Sequence, residues 1–161
     1  DFSFTNDIIT NRIITVTKSG NNISDYNDLS GKKLAVVTDI AKAALDKNAT
    51  IKNNNKNTLY PTIEDALSAL DNGSVDAVIT DEFNFSPLEN AEKYQVLNGE
   101  LDKISYAFMF KKGDWVVENW NEAIYELKSP DYNDKDEFTP MVEKYFGYNA
   151  SSFDYVPSKT K

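Results

Sequence analysis

Two short runs in the first half of the chain are apolar at consecutive positions, Lys33 to Val37 (KLAVV) and Val75 to Thr80 (VDAVIT). A strand with one face in water alternates apolar and polar residues, so runs of this kind suit strands covered on both faces, as in a parallel sheet. Good helix formers follow the first run at Ala41 to Lys47 (AKAALDK), with Asp39 or Thr38 placed to cap them. Thr62-Ile63-Glu64-Asp65 opens a second helical stretch, Ala66 to Leu70, with Thr62 as its N-cap and Asn72-Gly73 as its stop. The alternation predicts βαβ units with right-handed crossovers on a mostly parallel sheet. The Asn- and Lys-rich segment Ile51 to Asn57 reads as a loop.

Other segments fill out the pattern. Arg12 to Lys18 (RIITVTK) is β-branched and ends in the polar Ser19 to Asn22, which predicts a strand and a turn. Tyr94 to Leu97 and Ser105 to Phe110 (SYAFMF) read as further strands. Asp114 to Lys128 predicts an amphipathic helix with Trp115, Val116, Trp120, Ala123, Ile124 and Leu127 apolar. The two tryptophans are expected to pack. Phe138 to Phe146 predicts a last helix, with Pro140 in its first turn and Gly147 ending it, and the chain after Tyr148 reads as a loose tail. No repeat appears at solenoid or propeller spacing.

Composition narrows the chemistry. With 17 Lys and Arg against 26 Asp and Glu the formal charge is -9, which repels phosphate backbones and anionic lipid surfaces and argues against nucleic acid as a partner. The chain has no Cys and no His. That removes the usual zinc ligands, the thiol nucleophile and the commonest general base near neutrality, so neither an enzyme nor a metal or cofactor site is expected. The lack of Cys is compatible with export without fixing the compartment. No apolar run is long enough to span a bilayer, and Asp1-Phe2-Ser3 does not look like a signal peptide, so the chain reads as a mature or trimmed form.

In a parallel α/β sheet, ligands lie beyond the carboxyl ends of the strands. One candidate position is Thr38-Asp39-Ile40-Ala41, where the first apolar strand enters a helix whose N–H groups and dipole favour an anion; Asp39 works against this by placing a negative charge there. The other is Thr80-Asp81-Glu82, where Asp81 either holds a ligand ammonium or caps the helix beginning near Phe83. Thr38 and Asp39 are open to the same capping reading. Asp131, Asn133, Asp136 and Glu137 form an acidic group without the glycine and spaced glutamate of a calcium loop, and read as a solvated charge run. Three Asn-x-Ser/Thr triplets, at Asn48, Asn72 and Asn149, receive no role.

Several segments together, in order, resemble the family 3 bacterial extracellular solute-binding proteins, the amino-acid-type periplasmic binding proteins of ABC importers. Asp28 to Val36 (DLSGKKLAV) is similar to that family's entry to its second lobe, and Thr62 to Asp81 (TIEDALSALDNGSVDAVITD) to its "EALxAL.nG.vDAVi.D" stretch. Ser105 to Gly113 (SYAFMFKKG) is similar to its return strand, and Glu143 to Gly147 (EKYFG) to its terminal "KWFG". The resemblance covers residues 1 to 147 and implies a type II periplasmic-binding-protein-like lobe with C-terminal helices, the first lobe being largely missing. Residues 1–22 would then form a hinge and crossover region, 23–106 the second-lobe α/β domain, 107–147 the return strand and C-terminal helices, and 148–161 a tail.

The resemblance also implies roles. The Asp ending the "DAVi.D" stretch holds the ligand's α-ammonium group, which lands on Asp81, with Thr80, Thr38, Asp39 and Ile40 as further ligand-binding candidates. Where that family has Gly-Ser/Thr-Thr for an amino-acid carboxylate, this chain has Asp39-Ile40-Ala41, which fits a cationic or amine-type ligand, or a degenerate pocket, better than an ordinary α-amino acid. The implied function is an extracytoplasmic solute-binding component of an ABC importer, with a small-molecule ligand, a permease partner and a lipoprotein signal in the precursor. The alternatives are the ligand-sensing domain of a membrane receptor and an interaction module that binds no small molecule. Without a first lobe, the C-terminal helices either fold onto this lobe or are covered by a second copy in an exchanged homodimer.

Overall fold

The structure, a computed structural model, describes residues 1–131, 133 and 135–146. The chain divides into two compact units, Arg12–Lys103 and a second made of Asp1–Asn11 with the chain from Ile104 onward.

The unit Arg12–Lys103 is a sheet covered on both faces. Its strands include β2 (Ile9–Lys18), β3 (Lys33–Val37), β4 (Lys56–Tyr60), β5 (Ala77–Asp81) and β6 (Tyr94–Val96), in the order β4-β3-β5-β2-β6. β3 is parallel to both β4 and β5, while β2 runs antiparallel to β5 and β6. Successive residues of each central strand face opposite ways. Leu34, Val36, Ala77, Ile79 and Ile13 join one core with Ala41, Ala44, Leu45 and Ile51 of the helices α1 (Asp39–Lys47) and α2 (Ala49–Asn54). Ala35, Val37, Val78, Ile14 and Val16 join a second core with Ile63, Ala66, Leu67 and Leu70 of α3 (Ile63–Asp71) and Phe85 of α4 (Glu82–Phe85). The consecutive apolar runs are explained: each neighbouring residue has its own layer to fill.

Sequence signals placed several ends correctly. Thr62 caps α3 by accepting from the Asp65 N–H, and Gly73, at φ +78, follows its C-cap Asn72. Thr38, rather than Asp39, caps α1. The segment Ile51 to Asn57 is not a loop: it holds the end of α2 and the start of β4. β4 escapes notice because it is an edge strand, pairing Lys56 to Tyr60 with Lys33 to Val37 and leaving Lys56, Asn57, Thr58 and Leu59 exposed. Polar residues on such an edge block pairing with other chains. Asn55 ends α2, accepting from the Lys32 N–H and donating to the Ile51 carbonyl.

In the other unit, the residues expected to form one strand over Ser105 to Phe110 are split between the end of β7 (Asp102–Tyr106) and β8 (Met109–Lys111). The break falls where the Phe108 N–H donates to Thr5 Oγ1 and its carbonyl accepts from the Thr5 N–H. β8 pairs with β1 (Phe2–Phe4) as an antiparallel ribbon. The helix α5 (Val116–Lys128) begins two residues later than Asp114, whose carboxylate accepts from the Val116 N–H. Trp120 packs on Phe108 and Phe110, at centroid distances of 4.7 and 6.3 Å, as expected, but Trp115 is 74% exposed, against the expectation that it packs. α6 (Phe138–Phe146) sits with Pro140 in its first turn, and Phe138 and Val142 gather Ile8, Ile9, Leu127 and Phe146. Gly147 as a helix stop and the tail after Tyr148 lie outside the described residues.

Candidate functional site

The parallel register sets the candidate residues side by side. Val36 is the partner of Ile79, so Thr38, which follows β3, and Asp81, which ends β5, both lie at the carboxyl edge of these two strands. β2 runs the other way and pairs Ile13 with Asp81, which brings Arg12 beside Glu82. The edge therefore collects residues far apart in sequence, all within the unit Arg12–Lys103.

Thr38 has φ 76 and ψ 150, a conformation that a β-branched residue adopts only when its surroundings impose it. Its hydroxyl accepts from the Ala41 N–H at 3.2 Å, so one of the open amide donors of α1 is satisfied within the chain. Asp39 is the first residue of α1 and is exposed, where its charge meets the positive end of the helix dipole. Ile40 packs against the α1 side of the core, which gives it a structural role.

Thr80 and Asp81 end β5 in full burial. The Thr80 hydroxyl donates to the Asp81 carbonyl at 3.4 Å. Asp81 is 2% exposed and caps α4: it accepts from the Asn84 N–H at 3.2 Å and from the Asn84 side-chain amide at 2.7 Å. The capping half of the sequence expectation for Asp81 is therefore observed.

Glu82 belongs to the candidate position Thr80-Asp81-Glu82, but neither it nor Arg12 was expected to bind a ligand, and their contact was not anticipated from the sequence. Arg12, the chain's only arginine, donates through Nε to Glu82 Oε2 and through a terminal nitrogen to Glu82 Oε1, both at 2.7 Å. The Glu82 side chain is 9% exposed and that of Arg12 27%. This two-pronged bond raises the guanidinium pKa above its ordinary value, against the opposing effect of burial, and the charge of Glu100 adds to it. Nearby, burial pushes the Tyr26 hydroxyl up, Thr15 acting the other way. A lone arginine on a strand facing an Asp-Glu pair is the signal that could have suggested the contact, but only the antiparallel register makes the two meet.

Among the described residues no group of three or more His, Cys, Asp and Glu is arranged to hold a metal ion, and no helix is long and apolar enough to cross a membrane. The Asp131 carboxylate is used locally, accepting from the Asn133 and Lys135 N–H groups, and Asp136 accepts from Thr139.

A mostly parallel sheet with helices on both faces and its candidate residues at the strands' carboxyl edge defines a type II periplasmic-binding-protein-like lobe. Solved structures that share this fold include substrate-binding proteins of amino acid ABC transporters and a glutamate-receptor ligand-binding core. One is the second substrate-binding domain assigned to an amino acid ABC transporter of Streptococcus pneumoniae, 27% identical with a TM-score of 0.68, the match covering 90% of this chain and 65% of that one. Another is an ABC uptake transporter substrate-binding protein from Streptococcus pneumoniae solved with bound histidine, 26% identical with a TM-score of 0.64, covering 92% and 63%. A third, alike in fold, is the GluR0 ligand-binding core from Nostoc punctiforme in complex with L-glutamate, 22% identical with a TM-score of 0.60, covering 91% and 66%. This chain thus spans less than two thirds of the length of these structures. No protein-family model matches the sequence, and no curated protein matches it either.

Proposed function

We propose that the chain is a solute-binding lobe of an extracytoplasmic ABC importer component, taking an amino-acid or amine-like small molecule at the carboxyl edge of its sheet. The observation that carries this reading is the buried carboxylate of Asp81 at the carboxyl end of β5, next to the strand β3 that Thr38 follows. A carboxylate accepts up to about four hydrogen bonds, and a ligand ammonium would add charge-assisted ones to those from Asn84. Thr80, Asp39 and Ile40 frame the same edge. The similarity to proteins solved with histidine or assigned to amino acid transport supports a small solute and a permease partner.

Thermal-shift screening of the chain against amino acids, amines and short peptides tests the reading, because a ligand that binds only the native state raises the melting temperature. Stabilisation that disappears in Asp81→Asn supports it. If no compound stabilises the chain, small-molecule capture by this chain is wrong and the interaction-module alternative takes its place.

The likeness to a receptor ligand-binding core favours a second reading, a ligand-sensing domain. A lipoprotein signal in the full-length gene product supports the importer; transmembrane and signalling segments there support the sensor. An exchanged homodimer, covering exposed apolar residues such as Phe2, Phe4 and Met109, would sediment at twice the mass of one chain.

A further inference from the structure

We infer that Glu82 determines the class of ligand this edge accepts, by occupying the Arg12 guanidinium and so excluding ligands that need a carboxylate partner there. The inference rests on the proposed solute-binding role and names the ligand class: amines without a carboxylate next to the cation.

The planar guanidinium fork matches a carboxylate in two-pronged geometry, which makes arginine the side chain best suited to hold a ligand carboxylate. This chain has one arginine, at the carboxyl edge where a ligand would lie, and both prongs on one side of its fork are taken by Glu82 at 2.7 Å. The pair is not a loose surface contact. Glu82 is almost wholly buried, so its charge has few other means of compensation, and releasing Arg12 to a ligand would leave a buried carboxylate unpaired. Glu100 adds a further negative charge near the guanidinium.

The second device for holding a carboxylate at such an edge is weakened. The Ala41 N–H at the start of α1 is engaged by Thr38, and Asp39 places a carboxylate on the first turn. Asp39, Asp81 and Glu82 therefore set three carboxylates along the edge that carries Arg12, an arrangement that favours ammonium groups over carboxylates.

The test compares lysine with 1,5-diaminopentane, which keeps both amines of lysine and lacks its carboxylate. Affinities are measured by calorimetry on the full chain and on Glu82→Gln, which keeps one acceptor for Arg12 and removes the charge. The expected result is that diaminopentane binds the unaltered chain at least about tenfold more tightly than lysine, and that the preference collapses or inverts in Glu82→Gln. Equal affinities in the unaltered chain, or a preference that Glu82→Gln does not move, would overturn the inference.

If neither amine binds either protein, solute capture has failed, and the masking of Arg12 is decided by acetate alone. Saturable stabilisation of Glu82→Gln by acetate, absent from the unaltered chain and from Arg12→Gln/Glu82→Gln, upholds the masking; its absence overturns it. Should Glu82→Gln not fold, Glu82→Asp keeps the charge, draws the carboxylate back by one methylene and is expected to give changes of the same sign and smaller size.

Discussion

One residue, Asn84, engages both oxygens of Asp81, its N–H bonding Oδ1 and its side-chain amide bonding Oδ2. The carboxylate proposed to meet a ligand cation is thus also the N-cap of a helix, and its two functions are separable by mutation.

Asn caps a helix about as well as Asp, whereas Ala does not. Asp81→Asn should therefore lie within about 0.5 kcal/mol of the unaltered chain in urea denaturation, and Asp81→Ala should lose about 1–2 kcal/mol. Both should abolish the amine-induced rise in melting temperature. An Asp81→Asn chain that still binds amines with full affinity would remove Asp81 from the site.

Thr38 stores backbone strain where β3 meets α1. Its conformation is natural to glycine and costs a β-branched residue about 1–3 kcal/mol. Thr38→Gly removes that cost, loses a few tenths of a kcal/mol of capping and about 0.5–1 kcal/mol of chain entropy, and should be neutral to stabilising by about 1 kcal/mol. Thr38→Val keeps the strain, loses the bond to the Ala41 N–H and should destabilise by about 1 kcal/mol. Equilibrium urea curves on both variants read the difference in sign.

Breaking the Arg12–Glu82 pair from one side leaves a buried charge. Arg12→Met should cost about 2–3 kcal/mol because Glu82 stays behind, while Arg12→Met/Glu82→Leu should recover most of that loss. A double mutant no more stable than Arg12→Met would show that the apolar replacements pack badly or that the pair itself is a strong net stabiliser.

Acid sensitivity should trace in part to Asp28. Its carboxylate accepts from the Ser24 and Asp25 N–H groups and the Ser24 hydroxyl, and these bonds hold its pKa below the ordinary value of 3.8. A depressed carboxylate contributes stability that is complete above its unfolded pKa and is lost as pH falls through its folded one. The urea midpoint of the unaltered chain should thus fall more steeply than that of Asp28→Asn as pH drops below about 4. Parallel curves would show that Asp28 contributes nothing to acid unfolding.

The central strands and the covering helices α1 and α3 were legible in the sequence because the information is local. KLAVV and VDAVIT are apolar at adjacent positions, and two buried faces are the simplest use for such runs. Thr62 and Gly73 marked the two ends of α3 through bonds and angles that span only a few residues. β4 was not legible, since an edge strand needs little apolar surface and its Lys and Asn residues look like those of a loop. Nor was the break at Phe108, which depends on Thr5, 103 residues away.

The sequence by itself determined that a buried parallel sheet would form, that thiol and imidazole chemistry were excluded, and that Thr38 and Asp81 would lie where strands pass into helices. Those properties follow from side-chain type and short-range spacing. Only the tertiary structure decided that Thr38 rather than Asp39 caps α1, that Asp81 is bound by Asn84, and that the single arginine is spent on Glu82. Each depends on strand register and on which acceptor a donor reaches first, and the Arg12–Glu82 contact spans 70 residues of chain.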